Sequence, residues 1–429
     1  MRSILKDRSG NFGIMSALLM VPLAAVAGLS VDFANALAAK NELQSAADAA
    51  ALAAISDNSA GYKKAMSMTG DGEILDAETD AKNLFSGEIT GNRPYTLTNV
   101  SATVSRSGVD LTSKITYSAE VPTSLLMALG QNKITISGTA TAAYKTATYR
   151  DFYLLLDNTP SMGVAATPSD ISTMVANTGD KCAFACHIVN NGVEDPNSYY
   201  NLAKQLGVTT RINVVAQATA ALMDTATSAR KVSNQFRMAV YTFGQKAEDT
   251  KLMEVANLTS DLKTAKNKAS MIDLMSIPYQ GYNNDQQTDF TLAMQNIAKV
   301  IGPAGTGATS TSPEKIVFFV SDGVNDSYKP VGCTKKLTGG RCQEPINPDA
   351  CQALKDQGYK VAVLYTTYLP LPTNQWYNDW ISPFQAEIAS RMQSCASSGY
   401  FFEVSPSEGI SQAMSALFMK IISSSRITS

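Results

Sequence analysis

The sequence predicts an α/β chain in three parts: an N-terminal transmembrane and alanine-rich helix, a small α+β module, and a C-terminal doubly wound sheet. Three observations predict it. Residues 12–31 form one long uncharged apolar run, the segments within 95–144 alternate with period two, and residues 151–424 alternate apolar runs with amphipathic helical stretches. The parts divide at 1–56, 57–148 and 149–429.

The chain has 429 residues, 45% apolar and 17% charged, so it carries enough apolar surface for a sizeable core and is not disordered. Thirty-five Lys and Arg against 37 Asp and Glu give a net charge of −2, which excludes the basic excess of a nucleic-acid binder. With His187 as the single histidine, poly-histidine metal sites are excluded and a Ser-His-Asp triad is nearly so.

At the N-terminus Arg2, Lys6 and Arg8 precede a stretch with no charge before Asp32. Residues 12–31 would span about 30 Å as a helix, enough to cross a bilayer. The basic flank predicts a cytoplasmic N-terminus with the rest of the chain across the membrane. Pro22 is tolerable in such a helix. Ala25-Val26-Ala27 offers a competing signal-peptide cleavage site, but the apolar run continues past it, which favours an uncut anchor. Eleven alanines in residues 34–54 then favour helix. Ala39, Leu43, Ala46, Ala50 and Ala53 form a small-residue seam that suits packing on the chain's own domain and on partner helices equally.

Residues 57–92 mix turn residues with a short helical stretch near Asp80–Phe85. Segments 95–105, 109–121 and 133–144 are rich in Thr, Val, Ile and Ser and read as half-buried strands, with a hairpin at Ser107-Gly108. Leu125–Leu129 is a short apolar helix or loop between them.

In the C-terminal part the strands are Phe152–Leu156, Phe236–Phe243, Ile316–Val320, Val361–Tyr365 and Tyr400–Val404. The helices are 211–227, 289–301, 348–357, 383–396 and 408–422. In the first helix Ile212, Val215, Ala216, Leu222 and Met223 share a face; Gly358 is the expected C-terminal cap of the third. Folds of this kind bind ligands beyond the carboxyl ends of their strands.

Three polar clusters fall at such ends: Asp157-Asn158-Thr159-Pro160-Ser161, Thr288-Asp289, and Ser321-Asp322-Gly323. Asp157, Thr159 and Ser161 alternate, so one turn can aim three oxygens at a point, and Thr288 and Asp322 add two more. This is an oxygen-only set suited to a small hard cation, Mg²⁺. The competing reading is that these are ordinary capping and turn residues.

Asp157-x-Thr159-x-Ser161 followed by Thr288 and Asp322 resembles the metal-ion-dependent adhesion site of von Willebrand factor A domains, over about residues 150–424. The resemblance implies a Rossmann-like fold in which those five residues hold Mg²⁺ or Mn²⁺, with an acidic residue of a partner protein completing the metal sphere. The family commonly has Ser where Thr159 stands; the hydroxyl is kept.

Arg8-Ser9-Gly10-Asn11, the apolar helix, Val31-Asp32 and the run Leu43–Ala54 resemble the TadE/TadG-like segment of Flp (tight-adherence) pilus assembly proteins. The order of anchor, alanine helix, β-rich module and A domain is similar to TadG. It implies a single-pass inner-membrane protein with a periplasmic body, acting with other pilus-assembly proteins and without catalysis. Pilin-like relatives are cut after Gly and carry Glu five residues on; here Met15 stands there after Gly10, which predicts an uncut anchor. A metal-dependent surface adhesin is the alternative. A third reading, a haloacid dehalogenase-like phosphohydrolase with Asp157 as nucleophile, is disfavoured by Thr159 in place of a second Asp.

Cys182-Ala-Phe-Ala-Cys186-His187 has one residue too many for haem attachment. Disulfides are the better expectation for an exported chain, and among 15 possible pairings we expect 182–186, 333–342 and 351–395. The inserted segment 164–209 and these loops should crown the metal face. Trp376, Tyr377 and Trp380 follow a strand end and suit a recognition patch or loop packing equally.

Overall fold

The computed structural model describes residues 11–89, 91, 93–249, 251–407 and 409–423. They form two compact units that divide between Thr146 and Ala147. The basic residues Arg2, Lys6 and Arg8, and Gly10, lie outside the described residues.

The first unit opens with α1 (Asn11–Ala53), one continuous helix with Pro22 inside it. It is followed by α2 (Ala60–Ser67), β1 (Gly72–Glu73), α3 (Leu75–Glu88), β2 (Thr96–Ser107), β3 (Asp110–Pro122) and β4 (Lys133–Lys145). The strands make an antiparallel sheet in the order β1-β2-β3-β4. The N-terminal helix, expected as a separate transmembrane part, and the β-rich module are one unit. Ala36, Ala39, Leu43, Ala46, Ala47, Ala50 and Ala51 are buried, and α1 packs on β3, β4 and α3. The small-residue seam therefore faces its own sheet, where short side chains let helix and strands approach closely. Polar contacts fix the register: Gln44 Nε2 donates to Thr139 O at 3.2 Å, and Tyr117 Oη donates to Lys40 O at 3.2 Å.

Ahead of this docked half, Ile14, Met15, Leu18, Leu19, Met20, Leu23 and Val26 are exposed. The side chains of Asn11, Phe12, Val21, Ala24, Ala25 and Ala27 lie outside the described ones. Among the described residues no helix is long and apolar enough to cross a membrane. Where the apolar run ends, the buried Asp32 accepts backbone N–H bonds from Ser124, Leu125 and Leu126 at 2.9, 2.9 and 2.7 Å. It thereby caps the 3-10 turn Leu126–Leu129 between β3 and β4.

The second unit contains, in chain order, β5 (Arg150–Leu156), α4 (Pro168–Asn177), α5 (Tyr199–Gln205), α6 (Arg211–Ala229), β6 (Phe236–Thr242), β7 (Met253–Thr259), α7 (Leu262–Ala269), α8 (Phe290–Val300), β8 (Glu314–Ser321), β9 (Val324–Tyr328), β10 (Arg341–Pro345), α9 (Asp349–Asp356), β11 (Lys360–Thr366), α10 (Gln375–Trp380), α11 (Gln385–Cys395), β12 (Phe401–Val404) and α12 (Ile410–Ser423). Six strands form the sheet β12-β11-β8-β5-β6-β7, parallel except for the edge strand β7. The other five coincide with the apolar runs, because strands covered on both faces read as continuous hydrophobic stretches. Alternate residues of β5 show both coverings: Tyr153 and Leu155 pack toward α8, α9 and α11, while Phe152, Leu154 and Leu156 pack toward α6, α7 and α12.

The chain passes from β5 outward to β6 on one side and returns to β8 on the other. The crevice beyond the carboxyl ends of β5 and β8 is therefore the topological switch point, where doubly wound sheets place their ligands. A small antiparallel sheet joins Gln287–Thr288, just ahead of α8, to β9, β10 and Leu337–Thr338, which lie between β8 and α9 in sequence.

Candidate functional site

Asp157 follows the last residue of β5 and Asp322 the last residue of β8, so neighbouring parallel strands deliver both carboxylates to the switch point. Both are fully buried, as is Thr159; Thr288 is nearly so. Pro160 opens a 3-10 turn, Pro160–Gly163, that carries Ser161. Thr288 comes from the short strand ahead of α8, a helix capped by Asp289, whose Oδ1 accepts from Leu292 N at 2.9 Å.

The five expected residues converge. Thr288 Oγ1 donates to Thr159 Oγ1 at 2.7 Å, and Thr159 Oγ1 donates to Asp157 Oδ1 at 2.7 Å. The Thr159 and Ser161 hydroxyls are 3.5 Å apart, and Ser161 hydrogen-bonds Asp322. Burial first, and then the charge of Asp322, push the Asp157 carboxyl above its ordinary range; Asp322 is raised by burial, against the pull of Arg211. Two buried carboxylates so close repel each other, and a cation relieves both the repulsion and the desolvation. The donor set is oxygen only, two carboxylates and three hydroxyls, which fits Mg²⁺ or Mn²⁺.

Asn158, Ser321 and Gly323 lie in the clusters read from the sequence, which assigned them no role. Ser321 Oγ donates to Asp157 Oδ2 at 2.6 Å and accepts Gly323 N–H at 3.0 Å, tying the two loops together. Asn158 turns away from the set: its Nδ2 donates to Gly244 O and Asp273 O at 2.8 and 3.1 Å, and its Oδ1 accepts from Phe243 N at 3.1 Å. It thus joins the first loop to the loop after β6. Gly323 has φ +74°, and a Cβ there would lie 2.6 Å from Ile388 Cγ2 and 2.9 Å from Met392 Cγ, so the turn beside Asp322 requires glycine.

Arg211 is the largest omission. Its Nη1 donates to Asp322 Oδ2 at 3.0 Å, with both side chains wholly buried. Its guanidinium carbon lies 4.4 Å from the centre of the Tyr368 ring. A signal was available, since Arg211 begins α6, the end of a helix where a positive charge is disfavoured.

Above the set lies a cavity of about 260 Å³, reached by Ser161 and Thr288 and walled by Phe184, Trp376, Tyr368 and Arg341. Arg341 grips Asp326 through Nε at 2.8 Å and Nη2 at 2.6 Å. Burial raises the Asp326 carboxyl to about 6. Of the aromatic trio, Trp376 lines the cavity and meets Phe184 edge to face, Tyr377 is buried and stacks on Tyr368, and Trp380 lies under Lys336 Nζ. The inserted segment reaches the cavity through Cys182, Phe184 and Cys186.

Disulfides join Cys333 to Cys342 and Cys351 to Cys395. Cys182 and Cys186 are free thiols, which corrects the expected 182–186 pairing. Burial holds both protonated, raising Cys182 to about 11 and Cys186 to about 12. His187 is structural: its Nδ1 lies 3.0 Å from Leu274 O and its ring stacks on Tyr200.

Solved structures similar to this chain include the von Willebrand factor domain of the type V pili tip protein Mfa5 from Porphyromonas gingivalis. It is 11% identical, with 66% of this chain and 98% of that one covered, at a TM-score of 0.38. The pilus adhesin SpaC from Lactobacillus rhamnosus GG is 10% identical, with 78% and 34% covered, at 0.38. The PilB minor pilin from Streptococcus sanguinis is 10% identical, with 78% and 79% covered, at 0.35. No curated protein matches the chain. The Flp pilus-assembly TadE/G-like family matches residues 10–60, which hold all of α1 with its alanine-rich docking seam. The N-terminal segment of this chain, residues 10–60, is thus a TadE/G-like segment of the Flp pilus-assembly family.

Proposed function

We propose that this chain is a membrane-anchored, periplasmic component of Flp (Tad) pilus assembly whose second unit is a von Willebrand factor A-type binding domain. In this reading Asp157, Thr159, Ser161, Thr288 and Asp322 hold Mg²⁺ or Mn²⁺, and the domain binds another pilus-assembly protein without catalysis. One observation carries it: oxygens from three separate loops meet at the switch point of the sheet, beneath a cavity. When bound, the ion offers a Lewis-acidic position to an acidic residue of the partner. The chain's own residues orient the site. Ser321 holds one oxygen of Asp157, Thr159 holds the other, and the hydroxyl chain from Thr288 sets the donor directions.

The anchor is supported by the uncharged run 12–31 and by the exposed apolar side chains around α1 ahead of its docked half. An inner-membrane placement is supported by the TadE/G-like segment and the basic flank Arg2, Lys6 and Arg8. A phosphohydrolase reading fits poorly. Asp157 is fully buried, and both its oxygens are occupied by hydroxyl donors, as suits a ligand better than a nucleophile.

Calorimetric titration of the EDTA-treated full chain in detergent with Mg²⁺ tests the metal. Saturable binding lost in Asp157→Ala is expected; unchanged binding in Asp157→Ala and Asp322→Ala would refute the site. A pull-down from the source bacterium in Mg²⁺ and in EDTA tests the partner, with metal-dependent capture of pilus-assembly proteins expected.

A further inference from the structure

Arg211 is costly where it stands. A fully buried guanidinium loses its hydration, and at the first residue of α6 it also faces the positive end of the helix. Neither cost is met by helix capping, since Thr210 and Asn213 bond each other there through Thr210 N–H and Oγ1, at 3.0 and 2.7 Å. What the guanidinium meets is Asp322 Oδ2 on one side and the Tyr368 ring on its face. Its Nε and Nη2 donors have no hydrogen-bond partner among the described residues. The placement therefore serves charge and not hydrogen-bond count.

With both carboxylates ionised, as metal ligation requires, buried Asp157 and Asp322 with one buried guanidinium leave the site one negative charge. A divalent ion would turn that to one positive charge, next to a guanidinium that already shares Asp322. Like charges at such range in a dry interior repel strongly. We infer that Arg211 is a built-in counter-cation of the site, holding Asp322 in the metal-free chain and lowering its affinity for divalent ions. This rests on the metal reading above and adds a residue that sets how tightly the ion is held. An acidic partner side chain would restore neutrality, so the same arrangement favours metal and partner binding together.

The test uses the full chain in detergent, stripped with EDTA, and Mg²⁺ alone as the probe. Wild type, Arg211→Met, Arg211→Gln and Arg211→Lys are titrated by calorimetry and melted with and without Mg²⁺. Met and Gln should tighten Mg²⁺ binding at least tenfold and enlarge the rise in Tm that Mg²⁺ produces. Lys keeps the charge and should stay within threefold of wild type. A merely structural Arg211 would lower Tm equally in EDTA and Mg²⁺ and leave affinity unchanged or weaker, and that result overturns the inference. Met and Gln variants that remain unfolded in saturating Mg²⁺ overturn it as well. If wild type binds Mg²⁺ and Met binds no tighter, this inference alone falls. If neither binds, the metal reading falls with it. If Met binds and wild type does not, Arg211 is upheld as the counter-cation, and the reading that the natural chain binds its partner through the metal falls.

Discussion

Substituting Gly323 by alanine tests the physical logic of the site without assuming any metal. Gly323 sits between Asp322 and β9 at φ +74°, which for an L side chain costs about 1–2 kcal/mol. The new Cβ would lie 2.6 Å from Ile388 Cγ2 and 2.9 Å from Met392 Cγ, well inside normal contact. Ile388 and Met392 are fully buried on α11 and have no room to retreat, so overpacking adds about 1–3 kcal/mol. The sum is about 2–5 kcal/mol. In a unit of this size each kcal/mol lowers Tm by about 2–4 °C, so a fall of roughly 4–20 °C is expected. The control is Gly281→Ala, at φ +74° with nothing within 4 Å of its Cβ, which carries the backbone cost alone. Thermal melts of both variants by circular dichroism, in EDTA, separate the two terms. Equal falls for the two would refute the argument that α11 presses on the Asp322 turn.

Three further outcomes are expected. Cys351–Cys395 closes a sequence separation of 44 and Cys333–Cys342 one of 9, so loop entropy predicts losses of about 4 and about 3 kcal/mol for the paired Ser substitutions; denaturant melts giving the reverse order would count against it. Cys182 and Cys186, held up to about 11 and about 12, should resist iodoacetamide at pH 8 and react about tenfold faster per pH unit as thiolate appears; fast alkylation of the native chain at pH 7 would contradict this. Asn158→Ala leaves two carbonyls and one N–H without their bonds and should cost about 2–4 kcal/mol in a urea melt, against near-zero loss if those loops are held otherwise.

How much of this was legible in the sequence depends on the range over which each feature is decided. The parallel strands β5, β6, β8 and β11 are written as apolar runs because each is buried on both faces, and the half-buried edge strand β12 keeps enough of that pattern to be read. The oxygen set was legible because strand ends are local, and the topology brings the ends of β5 and β8 together. The edge strand β7 was missed, because MEVANLT is mostly half-exposed and shows neither a continuous apolar run nor a clean alternation. The β9–β10 hairpin was missed because polar VNDSY and RCQEP pair through a bidentate Arg341–Asp326 contact that no local pattern announces.

Arg211 marks the limit most clearly. Its apolar neighbours identify the helix, yet its own role is set by Asp322, 111 residues away. The alanine seam of α1 shows the converse limit. Small residues at helical spacing said that something would pack closely there, and only the fold could say that it is the chain's own β3 and β4. Periodicity encodes which face is buried; it does not encode against what. Charges carry less still, because a buried ion pair is a statement about two distant residues at once. A sequence thus discloses a candidate cation site through its oxygen ligands sooner than through a buried guanidinium that reaches one of them from 111 residues away.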